Sequence, residues 1–394
     1  MAVLVPGLVI GAAVALTFAF VRLGHGRLVT TDGEGVRFRG FNALRAFAAL
    51  GVVAGHTTIT SPVSGLPLFF VNNAATGVAL FFVISGFLLY RPFAASMNDR
   101  AKVSIRFFAT NRALRILPLY LLVVIVVFLA TGGHPGRTLL KALTFTGVYS
   151  GDDLVPVAWS LDDEVAFYFL LPLLYLVVMA WPRPGQRIWI GAGVIGVLCV
   201  ASLIALARVP GDQAIIGGPL TKFHQFGLGM LLATIHAQRP TLQLAPRQLL
   251  LAAAAAAVTL SISSVAYEQG AYAFSPAAGV AFFLLVGMVA FSGPAAGLTR
   301  ALSWRPLVHL GDVSYGVYLW HEPLHHVLFN SGLLSQSYVP GFLELACCAV
   351  ALATGTYYLV EKPALRLKNR WVASSPRPRG QPVAGRPKIG SIYT

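Results

Sequence analysis

Arg45 and His56 stand eleven residues apart inside one apolar stretch, FNALRAFAALGVVAGHTTI, Phe41–Ile59. On an α-helix at about 100° per residue they share a face, with about 16 Å between them along the axis. Ionisable groups are costly in lipid and turn inward, so a cation and an imidazole on one face of a membrane-length helix point to a polar site inside a bundle. The competing explanation is an arginine that snorkels to the headgroups and a histidine used only in packing. Arg112 and Arg115, in ATNRALRILPLYL, also share a helix face. Two guanidinium forks at that spacing suit phosphate oxygens, although cations flanking a membrane span account for them as well. Asp162, Asp163 and Glu164 are consecutive in AWSLDDEVAFYFLLPLL and therefore fan about 100° apart. The first two fit the dipole-favoured first turn of a helix. Glu164, the deepest, is the candidate partner of a buried histidine.

Near the C-terminus, HLGDVSYGVYLWHEPLHH contains His321-Glu322-Pro323-Leu324-His325, which satisfies the HExxH pattern of zinc proteases. That chemistry needs both histidines on one helix face and the glutamate as base. Pro323 disturbs such a helix and no clear third ligand follows, so a metal site is not expected. Tyr318, Trp320 and His321 are read instead as lining a polar pocket at mid-membrane depth. Glu361 and Lys362 sit at the end of the last apolar run, in TYYLVEKPALRL, where Pro363 stops the helix.

The elements that must position these groups are membrane helices. The chain is 56% hydrophobic and 11% charged, with a mean hydropathy of +0.72, whereas soluble domains carry about 25% charge. Apolar length marks about eleven spans, near 3–21, 41–60, 72–90, 116–131, 157–181, 188–207, 221–236, 248–266, 274–293, 310–329 and 340–360. The formal charge of +15 encodes orientation rather than affinity for nucleic acid. All 29 Lys and Arg except Arg45, Arg137, Lys141, Arg208 and Lys222 fall in alternate connections or the C-terminal tail. This positive-inside bias places the N-terminus outside, the C-terminus in the cytoplasm and Arg45 at the cytoplasmic end of its helix. The tail, rich in Pro, Gly and Arg, reads as a disordered extension. Cys199, Cys347 and Cys348 lie in apolar runs and form neither a disulfide framework nor a CxxC site.

The order of six blocks resembles the bacterial multi-pass membrane acyltransferase family often called acyltransferase-3. The blocks are FNALRAFAALGVVAGH, GVALFFVISGFLLYR, NRALRILPLYL, WSLDDEVAFYFLLPLL, GDVSYGVYLWHEPL and YYLVEKPALRL, from about Phe41 to Leu367. The resemblance implies an all-α polytopic bundle: a ten-span acyltransferase domain over 41–367, an additional helix and basic linker over 1–40, and a tail over 368–394. Arg45 and His56 match the family's R-x10-H pair, with His56 as the implied catalytic histidine. Arg112 and Arg115 match its R-x-x-R, an implied acyl-CoA contact. Glu164 falls on the first Glu of the usual WSLSVEEQFY, while Val165 and Ala166 replace the second Glu and the Gln. Ser314, Tyr315 and His321 match SYGLYLWHWP, with Glu322 where Trp is common, so the HExxH reads as a by-product of one substitution.

The expected activity is transfer of an acyl group, foremost acetyl, from cytoplasmic acyl-CoA to a hydroxyl of an envelope sugar, glycan or glycolipid, in the plasma membrane. His56 would act as general base and Glu164 would fix its tautomer. Arg45, Arg112, Arg115, Ser314, Tyr315, His321 and Glu361 would form the substrate and acyl-CoA site. No bound cofactor or metal is expected. A macrolide acceptor is the near alternative; an intramembrane zinc protease built on His321 and His325, and a carrier or flippase, are the alternatives from other classes.

Overall fold

The computed structural model describes residues 39–63, 71, 74, 76–98, 103–147, 149, 153–209, 218–268, 276–293 and 297–367. The expected span at 3–21 and the tail from 368 lie outside the described residues. Within them the chain is helical and has no strand. The helices are α1 (Arg39–Thr57), α2 (Gly77–Met97), α3 (Ile105–Thr131), α4 (Gly136–Leu143), α5 (Trp159–Met179), α6 (Arg187–Arg208) and α7 (Gly218–Gln238). They continue with α8 (Pro246–Glu268), α9 (Pro276–Ala290), α10 (Gly297–Leu302), α11 (Arg305–Asp312), α12 (Ser314–Asn330) and α13 (Tyr338–Thr356).

Among the described residues, five segments are long and apolar enough to cross a membrane: α2, α3, α6 with its preceding turn, Pro246–Val265 of α8, and Tyr338–Leu367. The count of eleven is not confirmed by length and composition among the described residues. The long helices α1, α5, α7 and α12 carry Arg45 and His56, the acids 162–164, Lys222 with His224 and Gln225, and His321 with Glu322 and His325. Those polar side chains lower the mean hydropathy of helices that otherwise pack into the same bundle. α6 and α8 instead turn apolar side chains such as Val197, Val200, Leu250 and Val258 outward, as suits a lipid-facing helix.

In lipid the apolar surface of a helix gains little from leaving the solvent, so close packing has to hold helices together. α2 crosses α7 where Gly86 and Gly229 face the partner backbone; a Cβ on either would collide with the carbonyl of Phe226 or Val83. Phe82 stacks on Phe226 at 4.4 Å between ring centroids, and Phe167 of α5 covers the other face of Phe226 at 4.2 Å. This aromatic stack locks α2, α5 and α7 into one block. Against it stand α1, α12 and α13, joined by Ala49, Val53, Val317, Leu345 and Ala349. The site lies between the two groups.

Candidate active site

At one end of the bundle a cavity is lined by Arg45 of α1, Ser85 of α2, Arg112 and Arg115 of α3, Glu164 and Tyr168 of α5, and Ser314 and Tyr315 of α12. Tyr318, Ser160 and Phe81 line it as well, each about one turn along its helix from Ser314, Glu164 and Ser85. α3 begins at Ile105, eleven residues before the expected span, and the Ser104 hydroxyl caps it by accepting from the Phe107 amide. Arg112 and Arg115 are therefore one helical turn apart on a rigid element. Arg115 pairs with the buried Glu361 carboxylate at 3.4 Å. Glu361 ends a π-helical turn, Tyr357–Glu361, a local widening often found at functional positions.

Glu164 does not reach His56. Its carboxylate accepts from Ser85 Oγ at 2.9 Å and from Tyr168 OH at 2.7 Å, and Tyr168 and Arg112 line the same cavity. Tyr168 lies one turn beyond Glu164, so the contact is local; the orientation of α5 in the bundle turns both toward the arginines. The Ser314 hydroxyl donates to the Gly311 carbonyl and Tyr315 OH to the Ile116 carbonyl. Both residues still border the cavity.

His56 meets His321. The Nδ1 of His56 lies 2.6 Å from the Nε2 of His321, with the rings stacked at 4.9 Å. The Nδ1 of His321 lies 2.5 Å from the Tyr318 carbonyl oxygen. A carbonyl only accepts, so that Nδ1 carries a proton. In the neutral pair the Nε2 of His321 is then the acceptor and His56 Nδ1 the donor, which leaves the lone pair of His56 on Nε2. His321 thus holds the position expected of Glu164. It is fully buried, whereas His56 is half-buried. His325 Nε2 lies 3.2 Å from Thr60 Oγ1. The Glu322 carboxylate accepts from the Val157 amide at 2.9 Å. The members of the HExxH sequence therefore have separate partners. Among the described residues no group of three His, Cys, Asp or Glu side chains gathers as metal ligands do.

Two charged residues were assigned ordinary positions by sequence and occupy unusual ones. Lys222, placed by charge patterning in a connection, is buried in α7 and binds Asp163 at 2.8 Å, with both side chains wholly enclosed. Its ammonium lies 5.1 Å from the centroid of Trp159. Asp163 also accepts from Tyr149 OH at 2.8 Å; burial and that carboxylate push the Tyr149 phenol above its ordinary value. A lone Lys in the apolar run TKFHQFGLG was the available signal. Ser85 and Tyr168 gave no comparable signal, being common residues in apolar helices, whereas Tyr318 borders the cavity as expected of a pocket residue.

An acyltransferase domain model matches residues 38–361, most of the chain. The chain belongs to the acyltransferase-3 family. It is 26% identical over 364 residues to nodulation protein 10 of Rhizobium leguminosarum bv. viciae, covering 84% of this chain and 95% of that protein. It is also 26% identical over 358 residues to the putative peptidoglycan O-acetyltransferase YrhL of Bacillus subtilis, covering 82% of this chain and 54% of that one. To the peptidoglycan O-acetyltransferase OatA of Listeria monocytogenes it is 26% identical over 316 residues, covering 72% of this chain and 48% of that one. The matched region is thus about half of the latter two proteins. No solved structure matches. The paired histidines and the arginine-lined cavity both lie within the matched region.

Proposed function

We propose that this chain is a multi-pass membrane O-acyltransferase that moves an acetyl group from acetyl-CoA to a hydroxyl of an envelope sugar, with His56 as general base. The observation that carries the reading is the His56–His321 contact, which leaves one basic nitrogen at the half-buried His56. The cavity with Arg45, Arg112 and Arg115 supports the choice of donor. Guanidinium forks bind phosphate oxygens, and acyl-CoA carries phosphates on a long flexible arm. Positive-inside placement of the cations supports a cytoplasmic mouth for this cavity, with eleven helices crossing the membrane, ten of them in the acyltransferase domain, the N-terminus outside and the C-terminus inside. The peptidoglycan O-acetyltransferases among the relatives favour a sugar acceptor.

In the proposed reaction the acceptor oxygen attacks the thioester carbonyl while its proton passes to Nε2 of His56. The C–O bond forms, the C–S bond breaks, and the imidazolium returns the proton to the departing CoA thiolate. His321 accepts from His56 Nδ1 throughout and stabilises the transient imidazolium, as the third group of a triad does. Glu164, through Tyr168, and Glu361 hold Arg112 and Arg115 for the CoA phosphates. The protease reading loses its basis, because Glu322 faces Val157 and each histidine is engaged elsewhere.

The test uses purified protein in lipid with acetyl-CoA and envelope extract, wild type beside His56→Ala. Free CoA and acetylated product should appear only with the wild type. Equal turnover by the folded variant would remove His56 from the mechanism. An absence of any transfer by the wild type would remove the proposed activity.

A further inference from the structure

We infer that Glu322 is a positioning residue for acyl transfer: by clamping α12 against the 156–158 turn it sets the place of His321, and through it of His56. The inference rests on the reading of His56 as the base. Tyr318 and Glu322 lie one helical turn apart and flank His321. Both bind the same residue. Tyr318 OH donates to the Val157 carbonyl at 2.7 Å, and the Glu322 carboxylate accepts from the Val157 amide at 2.9 Å. Ser160 Oγ, from the start of α5, donates to Tyr318 OH at 2.8 Å. The backbone carbonyl of Tyr318 then holds Nδ1 of His321. Both polar backbone groups of Val157 are thereby tied to α12.

The clamp stands where the helix is weakest. Pro323 lies inside α12 and has no N–H to give the Leu319 carbonyl, so the helical ladder lacks a bond beside His321. A side chain ring sits about 5–6 Å from its helix axis, so a 10° rotation of α12 shifts His321 by about 1 Å. A displacement of that size costs a reaction up to about 100-fold. Tethers on Tyr318 and Glu322 resist such rotation. Glu322 therefore has a role that needs its oxygen as an acceptor and needs neither a proton nor a metal.

The test compares variants of the full chain in lipid nanodiscs with acetyl-CoA and a sugar acceptor. Glu322→Ala should lower kcat about 10- to 100-fold with the KM for acetyl-CoA within about twofold. Glu322→Gln, which keeps an oxygen facing the Val157 amide, should restore kcat to within about threefold without changing the shape of the pH profile. Wild-type kcat in Glu322→Ala would overturn the inference. A Gln variant as inactive as the Ala variant would overturn it too, because the carboxylate would then act as a base or ligand. Should Glu322→Ala fail to fold, Tyr318→Phe decides: the same kcat loss supports the clamp and an unchanged kcat refutes it. Imidazole 15N spectra separate this from failure of the proposed activity, since they need no turnover. Loss of the single Nδ1-protonated form at His56 in Glu322→Ala supports the clamp; spectra identical to wild type refute it.

Discussion

Replacing His321 probes the proposed catalytic pair most directly. His321→Leu removes the acceptor that lies 2.6 Å from His56 Nδ1 in a position with no solvent to substitute for it, His321 being wholly buried. In the reaction His56 becomes an imidazolium, so the lost bond is one to a charged group, worth about 1.5–3 kcal/mol. At about 1.36 kcal/mol per factor of ten, kcat should fall about 10- to 150-fold. His321 does not border the arginine-lined cavity, so the KM for acetyl-CoA should stay within about twofold. His321→Gln presents an oxygen near the place of Nε2 and should recover part of the loss. The assay is steady-state CoA release from acetyl-CoA with acceptor in excess, on protein that elutes as the wild type does. A variant with wild-type kcat would refute the tautomer argument. A raised KM with kcat unchanged would mean that His321 binds donor and does not support the base.

Arg115→Ala should raise the KM for acetyl-CoA about tenfold or more with a smaller change in kcat, because a phosphate contact binds ground state and transition state alike. An unchanged KM would count against a phosphate contact at Arg115. Lys222→Met should lower stability by about 3–5 kcal/mol by leaving the Asp163 carboxylate buried without its cation. Lys222→Met combined with Asp163→Leu should restore most of it. Thermal unfolding in detergent measures both, and a single variant melting with the wild type would show the pair to be dispensable.

The readings that held were local in origin. Arg112 and Arg115 share a face because they are three residues apart on a helix, and Arg45 and His56 do so because eleven residues make just over three turns. Among the described residues the apolar runs marked the long helices within a few residues, except that α2 is shifted toward Met97, α3 starts early and a break after Asp312 separates α11 from α12. The readings that shifted all concerned partners. Glu164 and His56 were paired by their roles in a triad, but rotation of α5 about its own axis turned Glu164 to Ser85 and Tyr168. Charge alternation counts Lys222, at the edge of the run 221–236, with the cations of the outer connections; burial beside Asp163 and Trp159 makes it part of the core.

The sequence by itself determined that this is a helical membrane protein, which residues are able to do chemistry, and which of them share a helix face. Those properties depend on composition and on a repeat of 3.6 residues, both readable within a single run. Only the tertiary structure decided that His56 meets His321, 265 positions away, that Glu322 binds the turn before α5, and that Lys222 is enclosed with its counter-charge. These pairings depend on how each helix is rotated and how deep it sits. That is set jointly by glycine contacts, aromatic stacks and buried polar bonds from many segments, and no one stretch of chain contains it.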